Sequence, residues 1–183
     1  YLNTFGRGMY PLIMRAYRDW ERGSISRETL VETLEHVQSL LLRRSVVGVT
    51  NDRLVARLCR AGSDGHDSLL HAIARITPSD ERVRVALKYS DLPHVAYVLG
   101  RLAHLPNLEE YEIDYIVPLA PADSWTGDGE REWADLSEDE QNSHRALAQT
   151  LGNLALIEEP LAIAAFDASF PAKRGIYARS TVT

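Results

Sequence analysis

Apolar residues recur at intervals of three and four along the first 106 residues, the spacing of amphipathic helices. In SRETLVETLEHVQSLLLRR the stripe is Leu30, Leu34, Val37 and Leu41, behind Ser26, whose side chain suits a helix N-cap. TNDRLVARLCR repeats the pattern behind Thr50, and DSLLHAIARI behind Asp67, with Pro78 to stop it. SDERVRVALKYS and PHVAYVLGRLAHL continue the series, the second with Pro93 suited to a first helical turn. MYPLIMRAYRDWERG is a further helix, closed by Gly23. The stripes predict a core that includes Leu34, Val37, Leu41, Leu58, Ile73, Leu99 and Leu102.

The pattern changes after HLPNLEE. Residues 109–117 alternate as a strand does, and Pro118 ends them. A polar excursion, PADSWTGDGEREWADLSEDEQNS, holds Trp125 and Trp133 as anchors onto the core, and a helix is predicted from Ser143 to Thr150. LGNLALIEE reads as a second short strand, with turn chemistry at Gly152-Asn153, and PLAIAAFDASFPAKRGIYARS as short helices around Pro171. Residues 109–117 and 152–157 are therefore expected to pair antiparallel, with a helix over 161–170 packed across them. Strand, excursion, strand, helix is the order of a ββα unit. The predicted fold is mainly α with a small α+β unit: a helical connector over 1–106, a boundary near Pro106, and the ββα unit over 107–183.

Charge sharpens this division. Residues 1–106 carry 15 Lys and Arg against 11 Asp and Glu, a net +4; residues 107–183 carry 5 against 15, a net −10. Two units with different jobs are implied. An acidic unit repels phosphates, so any nucleic-acid role must rest on local basic clusters. With 45% hydrophobic and 25% charged residues the composition is that of a soluble globular protein. No apolar run approaches the ~20 residues of a membrane span, and no secretory signal opens the chain. The single cysteine, Cys59, excludes an internal disulfide and a cysteine-based zinc site. A cytoplasmic location is expected, and the start at Tyr1 leads to the expectation of a piece of a longer chain.

The motifs DYIVP at 114–118, Trp125 or Trp133, GNLALI at 152–157, FPAK at 170–173, Tyr177 and Ser180 occur in a distinctive order. In that order they resemble the HNH-type nuclease domain of GmrSD-class restriction endonucleases. LLRRSVVGVTNDRL at 41–54 and YVLGRLAHL at 97–105 resemble the helices that join this family's N-terminal nucleotide-hydrolysing domain to its nuclease. The resemblance implies a ββα-metal fold, DNA as substrate, and Mg²⁺ or Mn²⁺ as cofactor if the chain is active. It also implies a DNA-cutting or nicking role in modification-dependent restriction or phage defence, with an N-terminal nucleotide-hydrolysing domain as partner.

In such a site one cation is held by hard oxygen ligands and stabilises charge on the scissile phosphate. A neutral histidine removes the proton of the attacking water. By resemblance Asp114 matches the metal ligand, while Tyr115 stands at the base position; a phenol with a pKa of ~10 is a poor acceptor at neutral pH. Ala162 stands where the helix asparagine belongs, Leu119 replaces a usual glutamine, and Asp167 falls at a second asparagine position as a further candidate ligand. Asn153 is either a turn residue or the group that orients the base. His144, the one histidine after Pro106, is a candidate substitute base or a helix-surface residue. Lys173, Arg174 and Arg179 form the basic cluster available for phosphate. Arg43 and Arg44 are further candidates for DNA, or helix-end charges that complement the dipole. Three readings follow: a DNA endonuclease or nickase module impaired in its chemistry, a non-catalytic pseudo-nuclease that binds DNA or a partner domain, or a purely helical interaction module whose C-terminal half packs beneath it.

Overall fold

The computed structural model describes residues 2–182. Its elements, in order, are α1 (Tyr10–Glu21), α2 (Arg27–Val46), α3 (Leu54–Ser63), α4 (His66–Ile76), α5 (Asp80–Tyr89), α6 (Val95–Leu102), β1 (Tyr111–Tyr115), α7 (Glu138–Leu147), β2 (Leu154–Glu158), α8 (Glu159–Ala165) and α9 (Phe170–Tyr177). The chain is mainly helical, with a two-stranded antiparallel sheet. None of the described helices is long and apolar enough to cross a membrane.

Two compact units are present, one up to Arg84 and the other from Val85. In the first, α1 to α4 close over Met9, Leu12, Val37, Leu40, Leu41, Leu54, Leu58, Leu69 and Ile73. Val37, Leu41, Leu58 and Ile73 of the expected core are buried; Leu34 is half-buried. Ser26 caps α2 as expected, accepting a bond from the Thr29 amide at 3.1 Å. Gly23, at φ 72°, lets the chain leave α1 in a conformation costly for any residue with a Cβ. Two caps fall elsewhere. Thr50 does not start α3: Arg53, at φ 56°, precedes the helix after a turn in which the Leu54 amide bonds the Asn51 carbonyl. Asp67 lies inside the first turn of α4, whose N-cap is Gly65.

Pro106 falls inside the second unit, not at its edge, because α6 packs on both strands. The contact side of α6 carries Tyr97 and Gly100, both buried, which leaves Leu99 half-buried and Leu102 exposed, contrary to the expected core. Gly100 lies under Leu108: a Cβ there would overlap Leu108 Cδ2 and stand 3.1 Å from Cδ1. The strands pair as expected, Tyr111 opposite Glu158 and Asp114 opposite Ala155, although residues 151–153 form a 3₁₀ turn before β2. Helix α8 follows β2 directly, packs on both strands and on α9, and ends at Ala165, short of the expected span to 170. Helix α7 begins five residues ahead of the predicted start. Ser137 and Glu140 build a reciprocal capping box inside the polar excursion. Trp125 and Trp133 anchor that excursion, both buried, edge-to-face with ring centroids 6.3 Å apart.

Candidate functional site

Glu112 and Asp114 share one face of β1; Glu112 is exposed, whereas Asp114, near the end of the strand, is covered and only 5% exposed. A buried carboxylate must find donors. Helix α9 supplies them. Lys173 Nζ donates to Asp114 Oδ1 at 3.0 Å, to Oδ2 at 2.9 Å and to the Tyr115 carbonyl at 2.6 Å. Four residues further along the helix, the Tyr177 hydroxyl donates to Asp114 Oδ2. Burial, then this hydrogen bond and the carboxylate's charge, pushes the Tyr177 phenol far above its ordinary range, so it remains a donor. Lys173 is fully buried and offers nothing to a phosphate backbone, which corrects its expected place in the basic cluster. Arg174 and Arg179 are exposed and remain available.

Beside Asp114 lies a groove of about 840 Å³ lined by Asp114, Tyr115, Leu119, Ala162, Phe166 and Asp167, among others. The groove thus brings together Asp114, Tyr115, Leu119, Ala162 and Asp167, but not Asn153, of the positions that the resemblance assigned to chemistry. Their side chains at the two decisive places are a phenol and a methyl group. His144 stands elsewhere, on a separate cleft of about 420 Å³, its ring 5.5 Å from that of Trp133.

Asn153 is buried and makes a clamp. Its Oδ1 accepts from the Val117 amide at 2.7 Å, and its Nδ2 donates to the Val117 carbonyl at 2.9 Å and the Ala148 carbonyl at 2.8 Å. The side chain therefore acts as an extra rung of the sheet, setting where the chain leaves β1 for Pro118. Arg43 and Arg44 hold helix ends: Arg43 bonds the Pro78 carbonyl at 3.0 Å and Asp80 at 2.6 Å, while Arg44 bonds the Ile76 carbonyl at 3.2 Å, Asn51 at 3.0 Å and the Thr50 carbonyl. Their donors serve α4's C-terminus and its surroundings.

These donors do not fit a divalent cation. Mg²⁺ and Ca²⁺ take six or more oxygens, whereas both Asp114 oxygens already accept bonds and an ammonium lies within 3.0 Å of them. Ala162 contributes no donor, and Asp167 is exposed at the groove rim. Among the described residues no group of three or more His, Cys, Asp or Glu side chains is arranged to hold a metal.

The chain beyond α9 is tied back to the sheet by Glu158, whose Oε1 accepts from the Thr181 amide at 2.8 Å and its hydroxyl at 2.6 Å. These bonds, the hydroxyl first, hold the Glu158 carboxyl down at about 2, against an ordinary 4.5. A depressed carboxyl stabilises the fold above its unfolded pKa and loses that contribution as pH falls through the folded one. Protection of the Thr181 amide from hydrogen exchange is therefore expected to be full above pH 4.5 and to fade towards about pH 2. Unchanged protection across that window would show that Glu158 does not hold the tail.

A mainly helical chain thus places a strand-end carboxylate on a groove shared with a helix. The family model described as GmrSD restriction endonucleases, C-terminal domain, matches residues 78–183, and the chain belongs to that family. The match begins just before α5 and takes in the whole second unit. Comparison with curated proteins and with solved structures gave no match.

Proposed function

We propose that this chain is an HNH-like module of a restriction or phage-defence protein that retains its DNA-directed scaffold and has lost its own cutting chemistry. The β1, β2 and α8 arrangement stands for the ββα unit of an HNH nuclease. One observation carries the reading: Ala162 lines the same groove as Asp114 and Tyr115, so the positions of base and helix ligand are adjacent to the acid and hold a phenol and a methyl group in place of an imidazole and an amide. The remaining DNA-directed surface is α9 and its end, where Arg174 and Arg179 are exposed in an otherwise acidic unit. An N-terminal nucleotide-hydrolysing domain of the same protein would supply the energy-dependent step.

Supercoiled plasmid incubated with the protein in Mg²⁺ or Mn²⁺ at low salt is expected to stay uncut. Duplex DNA is expected to bind with an affinity that falls with salt. Arg174→Ala with Arg179→Ala should reduce the salt slope by about 0.9 for each phosphate no longer neutralised. Nicking that disappears in Asp114→Ala would overturn the loss of cutting. Absence of DNA binding at low salt would overturn the DNA-directed half and leave a partner domain as the ligand of this scaffold.

A further inference from the structure

Of the 20 basic residues in the chain, 18 are arginine and two are lysine. Lys88 is exposed on α5. The other lysine is the largest of the fully buried side chains. A chain that uses arginine almost everywhere places lysine at this one interior position, and the geometry gives the reason. An ammonium is a compact charge with three donors; a guanidinium is a planar fork with five. Three oxygens face Lys173 Nζ, at 3.0, 2.9 and 2.6 Å, all from the end of β1. Three donors meet three acceptors, with no N–H left over for water to serve. A guanidinium in the same space would leave donors buried and unbonded.

We infer that the Lys173 ammonium is the resident cation of the Asp114 site, a built-in counter-ion carried on α9 that makes the strand-end carboxylate independent of any metal ion. The oxygens around it are a carboxylate and a main-chain carbonyl, hard donors of the kind a dication would use. The Tyr177 hydroxyl closes the remaining side of Oδ2. The assembly is neutral as a whole, so the groove wall beside it presents no net charge from Asp114 to a ligand. The inference goes beyond the proposed function, because a chain that never met DNA would need the same counter-ion for this buried carboxylate.

With two lysines in the chain, nitrogen-15 NMR of the side-chain ammonium groups tests this on the intact protein. Lys88→Arg, a conservative surface change, assigns the two signals. The Lys173 ammonium protons are expected to exchange with water on the order of a hundredfold more slowly than those of Lys88, as for a group released only by local opening. Added Mn²⁺ should leave unbroadened the Lys173 ammonium signal and, in a carbon-13 spectrum, the Asp114 carboxylate signal. Exchange as fast as that of Lys88 would overturn the inference. So would selective Mn²⁺ broadening of the Lys173 and Asp114 signals, because a paramagnetic ion would then be sharing the carboxylate.

Discussion

Lys173→Met should destabilise the protein by about 3–5 kcal/mol, read as a lower urea midpoint at unchanged slope. Methionine fills much of the lysine's volume but leaves Asp114, 5% exposed, as a buried charge facing the Tyr115 carbonyl without its cation. Desolvation of the orphaned carboxylate is the dominant loss, larger than the hydrogen bonds counted singly. Lys173→Met combined with Asp114→Asn should therefore lose less than the two single changes added together, since the neutral amide removes the uncompensated charge. A cost under about 1 kcal/mol for Lys173→Met, the scale of an exposed ion pair, would mean that water reaches the pair.

Asn153→Ala should cost about 3 kcal/mol in thermal or urea unfolding. Three main-chain groups lose their partner together: the amide and carbonyl of Val117 and the carbonyl of Ala148. Each buried, unsatisfied group costs roughly 1–3 kcal/mol, and the total is held down where relaxation admits water. Asn153→Asp keeps one acceptor and loses both donors, so it should not rescue stability. The Val117 amide should lose exchange protection in Asn153→Ala while amides of the first unit keep theirs. A stability change below about 1 kcal/mol, the net worth of one ordinary hydrogen bond, would reduce Asn153 to a turn residue.

Periodicity makes the regular elements legible. Alternation at Tyr111 to Tyr115 and the turn chemistry at Gly152-Asn153 lead to the right pairing of strands, because a period of two marks an extended segment; it does not show that the polar face is the one that buries Asp114. Helix stripes locate the first unit's core in the same way, by their period. The failures have physical causes too. SEDE in the excursion is a capping box, and its polarity hides a helix start. The stripe through Leu99 and Leu102 does not reveal that α6 must turn Gly100 towards Leu108.

The candidate site is legible as positions and less so as roles. Asp114, Tyr115, Ala162 and Asp167 do line one groove. The basic run at 173–174 gives no sign that one of its charges points inward and the next outward, since charge alone does not reveal burial. Lysine usage does not settle it either: of the two lysines among 18 arginines, Lys88 is exposed and Lys173 buried. Arg43 and Arg44 look in sequence like cations for a ligand, and fold as clamps: Arg44 on the Ile76 carbonyl that α4 leaves unpaired at its end, Arg43 on the Pro78 carbonyl just beyond it. Tyr177 stands in the sequence only as a motif letter, because its hydroxyl acquires a purpose when α9 packs over the strand end.

The inward lysine also determines how the protein can be held. With Lys173 sealed, Lys88 carries the one side-chain amine that solvent reaches, and it lies on α5 close to the division between the two units. Amine chemistry on the folded protein will therefore fix dyes, beads or sensor surfaces at this single side-chain position, besides the chain's amino terminus. A tether at Lys88 leaves Arg174, Arg179 and the groove free of covalent label.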